Sequence, residues 1–215
     1  MHRVGGSEPV VRDSVCRVTD TTLTADQIET LRARVRELMP QVRADLEDLT
    51  RIPSVSLDSF DQAHVQASAE RTAELLRAEG LDVEIVSEGG RPAVIGHVDG
   101  PEGTPTVLLY AHHDVQPPGD LDDWDSDPFE PVERDGRLYG RGAADDKAGV
   151  MAHVAALRAH SGNLPVGVTI FVEGEEEIAS ESLPRLLERH GDKLTSDAIV
   201  LADSLNWAIG TPARA

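Results

Sequence analysis

Residues 106–118 read TVLLYAHHDVQPP, an apolar strand pattern that runs directly into a polar cluster. Residues 106–110 are short and aliphatic, as buried strands tend to be. In a layered α/β sheet, ligands collect beyond the carboxyl ends of the strands, which is where His112 would lie. The stretch therefore predicts a strand with a site at its end. Similar apolar runs predict strands at residues 81–86, 92–98, 166–172 and 198–201.

Helical patterns separate these strands. Thr24 and Gln27 form a capping-box pattern ahead of a long amphipathic helix, which we expect to kink near Pro40. Gly80 is placed to terminate a second helix. Because helices alternate with apolar strands, the chain predicts an α/β fold with a layered sheet flanked by helices. The remaining helices are predicted at residues 61–79, 146–160 and 182–189.

Composition narrows the classes of function. The chain has 215 residues, a formal net charge of -19 and 40% hydrophobic residues. A negative surface repels phosphates, so we expect neither nucleic acid nor an anionic membrane as a partner. The sequence has no apolar run near the roughly 20 residues that cross a bilayer, and its start lacks a signal-peptide core, so a cytoplasmic location is expected.

The amino-terminal segment differs from the rest. Residues 1–22 show no sustained period and are predicted to be a disordered leader, with residues 23–215 as the folded unit. Cys16 is the single cysteine of the chain. It has no partner for an internal disulfide or a thiolate cluster. Any metal must therefore be held by oxygen and imidazole ligands.

The first polar cluster is His112-His113-Asp114. A histidine at a strand end can bind a divalent metal through one ring nitrogen, while a carboxylate two residues later orients the ring. His112 is the candidate ligand and Asp114 its orienting group. The alternative, a pair of surface histidines in a loop, remains open at this point.

The second cluster, LYGRGAADDK at residues 138–147, places two acidic residues at the predicted start of a helix. Its glycines allow a sharp turn and close approach to a site, and a carboxylate there could bridge two cations. Asp is also a favoured helix cap, so capping is an alternative. The sequence does not choose between these interpretations.

The third cluster, EGEEE at residues 173–177, directly follows an apolar strand. Runs of charge are usually solvated faces. Carboxylates crowded at a strand end instead repel one another unless cations or protons neutralise them. One glutamate could then hold a metal while a neighbour takes a proton from metal-bound water. Asp203 follows the last strand in an Asp-Ser-x-Asn pattern, which is also common in ordinary loops.

Taken in order, these clusters resemble metallopeptidase family M20. The motifs are His-x-Asp, Gly-Arg-Gly-x-x-Asp-Asp-Lys, Glu-Glu after a strand, and a final Asp. The family comprises two-metal zinc amidohydrolases, including carnosinase-like dipeptidases, aminoacylases, acetylornithine deacetylases and glutamate carboxypeptidases. The sequence pattern Tyr-x-His-x-Asp-Val-Gln-Pro-Pro at residues 110–118 looks most like that of the dipeptidase branch of the family. The resemblance implies that residues 23–215 form the N-terminal portion of a zinc-peptidase-like catalytic domain.

The resemblance also implies a set of metal ligands. His112 and Asp203 would hold one of two divalent ions, Glu177 would help to hold the other, and Asp145 would bridge both. The ions would be zinc, with manganese or cobalt as alternatives, because carboxylate-rich ligand sets accept all three.

Catalytic roles follow from the same resemblance. Glu176 would be the general base that deprotonates the attacking water, and Asp114 would support His112. The Asp145-Asp146 peptide bond is expected to be cis. The acidic run alone does not say whether Glu175, Glu176 or Glu177 is the base. The resemblance to the family pattern implies that it is Glu176.

Relatives in this family are longer and carry a lid or dimerisation domain and a late histidine ligand. We therefore expect the chain as given to be an inactive or weakly active fragment with exposed apolar edges. The substrate would be a small peptide or an N-acyl amino acid, and full-length relatives are often homodimers. Two alternatives remain, namely a deacylase of N-acyl amino acids and a truncated, non-catalytic product that only binds metal.

Overall fold

The computed structural model describes residues 23–204, 206–208 and 211–212; the predicted leader and Cys16 lie outside these ranges. Five strands form the central sheet in the order β1-β2-β6-β3-β7. Strands β1 and β2 and strands β2 and β6 pair antiparallel, whereas β3 runs parallel to both β6 and β7. The strands are β1 Asp82–Val86, β2 Ala93–Val98, β3 Thr106–His112, β6 Gly167–Glu173 and β7 Ala198–Leu201.

Four α-helices surround the sheet, each within a few residues of its predicted position. The longest begins after Thr24, whose hydroxyl accepts from the Gln27 amide at 3.2 Å in the predicted capping box, and it includes Pro40. Gly80 ends the second helix with a φ of +87°, the left-handed conformation that glycine adopts without strain. The helices are α1 Ala25–Thr50, α2 Ala63–Ala78, α3 Lys147–His160 and α4 Leu183–His190.

Short elements complete the described chain. Single 3₁₀ turns lie at Leu121–Asp123, Glu176–Ile178 and Gly191–Leu194, and two small hairpins pair β4 Val132–Arg134 with β5 Arg137–Tyr139 and β8 Asn206–Ala208 with β9 Thr211–Pro212.

The sheet is buried between helices on both faces. Helices α1, α2 and α3 pack on one face, and α4 packs on the other. The larger core joins the three helices to β2 and β6, and includes Leu49, Leu76, Val94, Val150, Val154, Ile170 and Val172. The smaller core under α4 includes Ile95, Leu108, Phe171 and Leu186. The predicted layered α/β fold is confirmed.

An ionic network ties the three helices together. Arg158 of α3 donates at 2.7 Å to Asp45 of α1 and at 2.7 Å to Glu79, the residue that caps α2. The three side chains are only 9%, 13% and 14% exposed. Arg71 of α2 adds a second bond to Asp45 at 2.9 Å.

The sheet ends at an exposed edge. All four residues of β7 are exposed, with Ile199 at 59% and Leu201 at 61%. This confirms the expectation of an exposed apolar edge. Among the helices that the structure describes, none combines the length and apolar character needed to span a bilayer.

The topology brings the first and third polar clusters together with Asp203. Strands β3, β6 and β7 are parallel, so their carboxyl ends lie at one edge of the sheet. The register aligns His112 with Glu173 and Tyr110 with Leu201. The segments that follow these strands carry Asp114, the 174–177 turn and Asp203 respectively.

Candidate active site

His112 is the last residue of β3, and its side chain is fully buried. Ring atom Nδ1 lies 3.1 Å from the backbone oxygen of Asp114 and 3.4 Å from its Oδ1. That contact turns the other nitrogen, Nε2, towards the cluster of carboxylates. The surface-loop interpretation is therefore wrong, because neighbouring His113 is also fully buried.

Asp114 is a buried carboxylate that receives several hydrogen bonds. Its Oδ2 accepts from the Ser56 hydroxyl at 2.7 Å and from the Glu177 amide at 3.1 Å, and its Oδ1 accepts from the Glu176 amide at 3.2 Å. Burial is the largest single influence on Asp114 and would raise its pKa, but the hydrogen bonds with His112 and Ser56, together with the charges of His113 and His112, lower it. Asp114 thus links His112 to the turn that carries both glutamates.

Three carboxylates surround Nε2 of His112. It lies 3.1 Å from Asp145 Oδ1, 3.8 Å from Glu176 Oε2 and 3.9 Å from Asp203 Oδ2. Two overlapping groups each have their candidate ligand atoms within 4.8 Å of one another, namely His112 with Glu176 and Glu177, and His112 with Asp145 and Asp203. The structure therefore places five of the six predicted residues around one small volume, and the sixth, Asp114, lies behind His112.

The spacing and chemistry of these atoms fit a divalent metal. Two ligand atoms on one tetrahedral zinc, each about 2.0–2.2 Å from the ion, lie about 3.3 Å apart. The imidazole and carboxylate donors are also those that zinc accepts. Separations of 3.1–3.9 Å around His112 agree with that geometry.

Burial and mutual repulsion both disfavour negative charge on the glutamates of the cluster. Burial, and then repulsion from Asp203 and Asp114, raise the pKa of Glu176. The pKa of Glu177 is also raised, first by burial. Burial is the largest single influence on His112 and lowers its pKa. The Asp114 hydrogen bond and the negative charges of Asp114, Asp146 and Glu176 together outweigh burial and raise that pKa to about 10. A bound cation would relieve the repulsion and replace the proton on His112.

Asp145 and Asp146 occupy the turn before α3 in different environments. Asp145 is 67% exposed at its side chain and faces His112, whereas Asp146 is buried and accepts from the His112 backbone amide at 3.2 Å. The peptide bond between them is cis, as predicted. Asp146 makes no side-chain cap to α3, so the helix-cap interpretation is wrong for this residue.

Comparison with known proteins shows the family of the chain. Residues 108–212 match Peptidase family M20/M25/M40. They carry part of an M20-family catalytic domain. The family resemblance drawn from the motifs is thus confirmed.

Several relatives in the family are dipeptidases. The chain is 37% identical to Cysteinylglycine-S-conjugate dipeptidase from Corynebacterium striatum over 161 residues, which cover 73% of this chain and 35% of that protein. It is 33% identical to human Beta-Ala-His dipeptidase, with 74% and 31% covered. The chain thus spans about a third of the length of these curated relatives.

Solved structures from the family share the fold. The structure of human carnosine dipeptidase 1 superposes with a TM-score of 0.77 at 29% identity, covering 83% of this chain and 41% of that one. The di-peptidase Dug1p from Saccharomyces cerevisiae superposes with a TM-score of 0.76 at 26% identity, with 85% and 42% covered.

Two other acidic residues of the third cluster turn away from the site. Glu175 is buried and accepts from the Ser182 amide at 3.0 Å, from the Ser182 hydroxyl, and from the Arg91 amide at 3.1 Å. Glu173 is buried and accepts from the Tyr110 hydroxyl at 3.0 Å. The run is therefore not a solvated face, and only Glu176 and Glu177 reach the cluster around His112.

His113 also points away from the cluster. Its Nε2 donates to the Pro92 carbonyl at 2.9 Å, and burial lowers the pKa of His113 to about 4. It is therefore a neutral core residue at pH 7.

Sequence reasoning missed three residues that support the site. Gln116 donates its amide to Glu177 Oε2 at 2.7 Å, and Ser56 donates to Asp114. Lys147, fully buried at the start of α3, donates to the Leu49 and Ile52 carbonyls at 2.8 Å each. Gln116 and Lys147 stand inside the quoted motifs, whereas nothing local marks Ser56.

Proposed function

We propose that the protein hydrolyses the peptide bond of small peptides, chiefly dipeptides, at a two-metal site. The observation that carries this proposal is the position of His112 Nε2, which lies within 3.1–3.9 Å of three separate carboxylates at the edge of the sheet where the parallel strands β3, β6 and β7 end. The names of the similar proteins support a dipeptide as the substrate.

The proposed ligands divide between two ions. His112 and Asp203 would hold one ion, Glu177 would help to hold the other, and Asp145 would contribute to both. Zinc is the first choice, with manganese and cobalt as alternatives. When bound, such ions polarise a carbonyl group and lower the pKa of a coordinated water.

Glu176 is the proposed general base. Its side chain is 38% exposed and faces the cluster, and its backbone amide is fixed by Asp114. Its raised pKa lies closer to neutrality than that of an ordinary glutamate, which favours proton transfer in both directions. Oε2 accepts a proton from the attacking water and returns it to the nitrogen of the leaving amine.

Asp114 has a supporting role in this proposal. Nδ1 of His112 lies 3.1 Å from the backbone oxygen of Asp114 and 3.4 Å from its Oδ1, so a proton on Nδ1 fixes the tautomer and would leave the Nε2 lone pair for a metal. The Asp114 carboxylate also accepts hydrogen bonds from the backbone amides of Glu176 and Glu177. The proposed base, Glu176, and the proposed ligands Glu177 and His112 are therefore all positioned by Asp114.

A second candidate is hydrolysis of an N-acyl amino acid. The chain is 37% identical over 136 residues to Succinyl-diaminopimelate desuccinylase from Bordetella parapertussis, covering 61% of this chain and 34% of that protein. The proposed base and metal ligands could hydrolyse the amide bond of a dipeptide or that of an N-acyl amino acid. Comparing the two substrates directly therefore separates the two candidate functions.

The test begins with metal content. The purified chain is expected to hold at least one zinc or manganese ion, and His112→Ala is expected to lose it. Hydrolysis of a dipeptide is then compared with that of an N-succinyl amino acid. Glu176→Gln should reduce turnover by about 100-fold or more, and exposed Glu181→Gln serves as the control.

The outcomes separate the candidate functions. Turnover that survives Glu176→Gln would contradict the general-base role. Metal binding without turnover would agree both with the weak activity expected of this chain and with the non-catalytic, metal-binding alternative. The absence of any bound ion would contradict the whole proposal.

A further inference from the structure

Ser56 lies outside every motif that defines the site, yet it reaches the site's central carboxylate. Its side chain is 1% exposed, and its hydroxyl donates to Asp114 Oδ2 at 2.7 Å. The two residues are 58 positions apart in the sequence. Because both groups are buried, water does not easily replace this bond if the hydroxyl is removed.

The segment around Ser56 is held rigidly against the end of β3. Val55 and Val115 form a parallel bridge, and the Val115 amide donates to the Ser54 carbonyl at 3.0 Å. Arg91 adds a fork, because its Nε and one terminal nitrogen donate to the Ser56 carbonyl at 3.0 Å and 2.9 Å. The backbone on both sides of Ser56 is therefore fixed, and its hydroxyl is aimed at Asp114.

Besides Ser56, the Asp114 carboxylate contacts three groups of the site, namely the Glu176 amide, the Glu177 amide and the His112 ring. Oδ2 accepts from both Ser56 and the Glu177 amide, while Oδ1 faces the Glu176 amide and lies 3.4 Å from His112 Nδ1. Without Ser56, the carboxylate could rotate about its terminal bond and change its contact with His112. Hydrogen-bonding partners of this kind set both the orientation and the basicity of a metal-binding histidine.

We infer that Ser56 is a positioning residue that sets metal affinity through Asp114 and His112. This inference rests on the proposed function, because it requires His112 to be a metal ligand. It gives the segment between α1 and α2 a part in the site that the motifs do not reveal.

Ser54 offers a matched control on the same segment. It is fully buried, and its hydroxyl also donates at 2.7 Å, but to the backbone carbonyl of His113. Ser54→Ala and Ser56→Ala thus remove the same group from neighbouring buried positions. A purely structural role for Ser56 predicts that both variants behave alike.

The experiment titrates metal-free protein with Mn²⁺ and measures free Mn²⁺ by electron paramagnetic resonance. Mn²⁺ is a suitable probe because it prefers oxygen and imidazole ligands to thiolates. Ser56→Ala should weaken the tighter site by about 10- to 100-fold, the range typical for partners of metal ligands. Ser54→Ala should stay close to the wild-type affinity, and thermal melts of both variants report stability separately.

Each outcome bears on the inference. Wild-type affinity in folded Ser56→Ala, or an equal loss in Ser54→Ala, would overturn it and leave the proposed function intact. A wild-type chain that binds no Mn²⁺ or zinc would overturn both. If Ser56→Ala does not fold, Ser56→Cys replaces it, because a thiol of similar size is a weaker donor. An intermediate loss is then expected, and unchanged affinity would overturn the inference.

Discussion

Replacing Arg158 by methionine tests how the three helices are held behind the site. The guanidinium is 9% exposed and joins α3 to α1 through Asp45 and to α2 through Glu79, with both bonds at 2.7 Å. Methionine keeps most of the side-chain volume but removes the charge. Within the described residues Glu79 has no other ion-pair partner, whereas Asp45 keeps its bond to Arg71.

The expected cost follows from that difference. Removing one partner of a buried ion pair typically costs about 3–5 kcal/mol, because the remaining charge is left uncompensated. Only Glu79 is left without a positively charged partner, because Asp45 keeps Arg71. We therefore expect Arg158→Met to lower the free energy of unfolding by about 3 kcal/mol, the lower end of that range. For a domain of this size that loss lowers Tm by about 6–12 °C.

Urea unfolding followed by far-ultraviolet circular dichroism measures the loss. The matched control is Arg36→Met, since Arg36 and Glu29 form an exposed pair with side chains 68% and 59% accessible. Exposed pairs contribute less than about 1 kcal/mol. A loss in Arg158→Met no larger than in the control would refute the reasoning. Recovery in the double variant Arg158→Met/Glu79→Met would confirm that the stranded carboxylate carries the cost.

Three other predictions concern the site and the sheet edge. Gln116→Leu should weaken Mn²⁺ binding by about 10- to 100-fold, because Glu177 loses its amide partner, whereas Gln66→Leu, which removes an exposed Gln–Glu bond, should leave binding unchanged. Burial lowers the pKa of Lys147 from 10.5 to about 7. Between pH 7 and pH 10.5 the unfolded chain therefore binds more protons at Lys147 than the folded protein does, so the free energy of unfolding rises with pH. Lys147→Met should remove that rise, and equal urea midpoint shifts from pH 7.5 to 9.5 in both proteins would contradict it. Ile199→Lys should reduce concentration-dependent light scattering, because a charge blunts an exposed edge strand; unchanged scattering would argue against edge pairing.

The strands and the location of the site were predictable because their signals are local. Each buried strand is a short apolar run bounded by turn residues, and parallel strands bring the residues that follow them to one edge. Strand β3 runs two residues beyond the predicted end, through His112, because β6 continues beside it and pairs His112 with Glu173. Periodicity in one segment does not reveal how far its neighbour extends.

The exposure of α1 was not predictable from its pattern. Apolar residues recur at helical spacing along the whole helix, yet Ile28 is 37% exposed, whereas Leu49 is fully buried. The end of α3 lies beside Arg34, which donates to the Ala159 carbonyl at 3.0 Å. The first turns of α1, which precede Arg34, therefore extend beyond the end of α3 and are not covered by it.

Roles within the acidic run also depended on tertiary contacts. Glu175, Glu176 and Glu177 are chemically identical neighbours, so only their partners distinguish them. Glu175 is held by Ser182 and by the Arg91 amide, which remove it from the cluster. Ser182 is seven positions away and Arg91 is 84, and no local pattern in the sequence marks either contact.

The central claim is that His112, Asp145 and Asp203 bind the same metal ion. The most direct measurement is an anomalous difference map from crystals grown with zinc, with data collected on both sides of the zinc absorption edge. We expect a peak about 2.0–2.2 Å from His112 Nε2 and from a carboxylate oxygen of both Asp145 and Asp203. A map without a peak there, from crystals in which zinc is bound elsewhere on the protein, would contradict it.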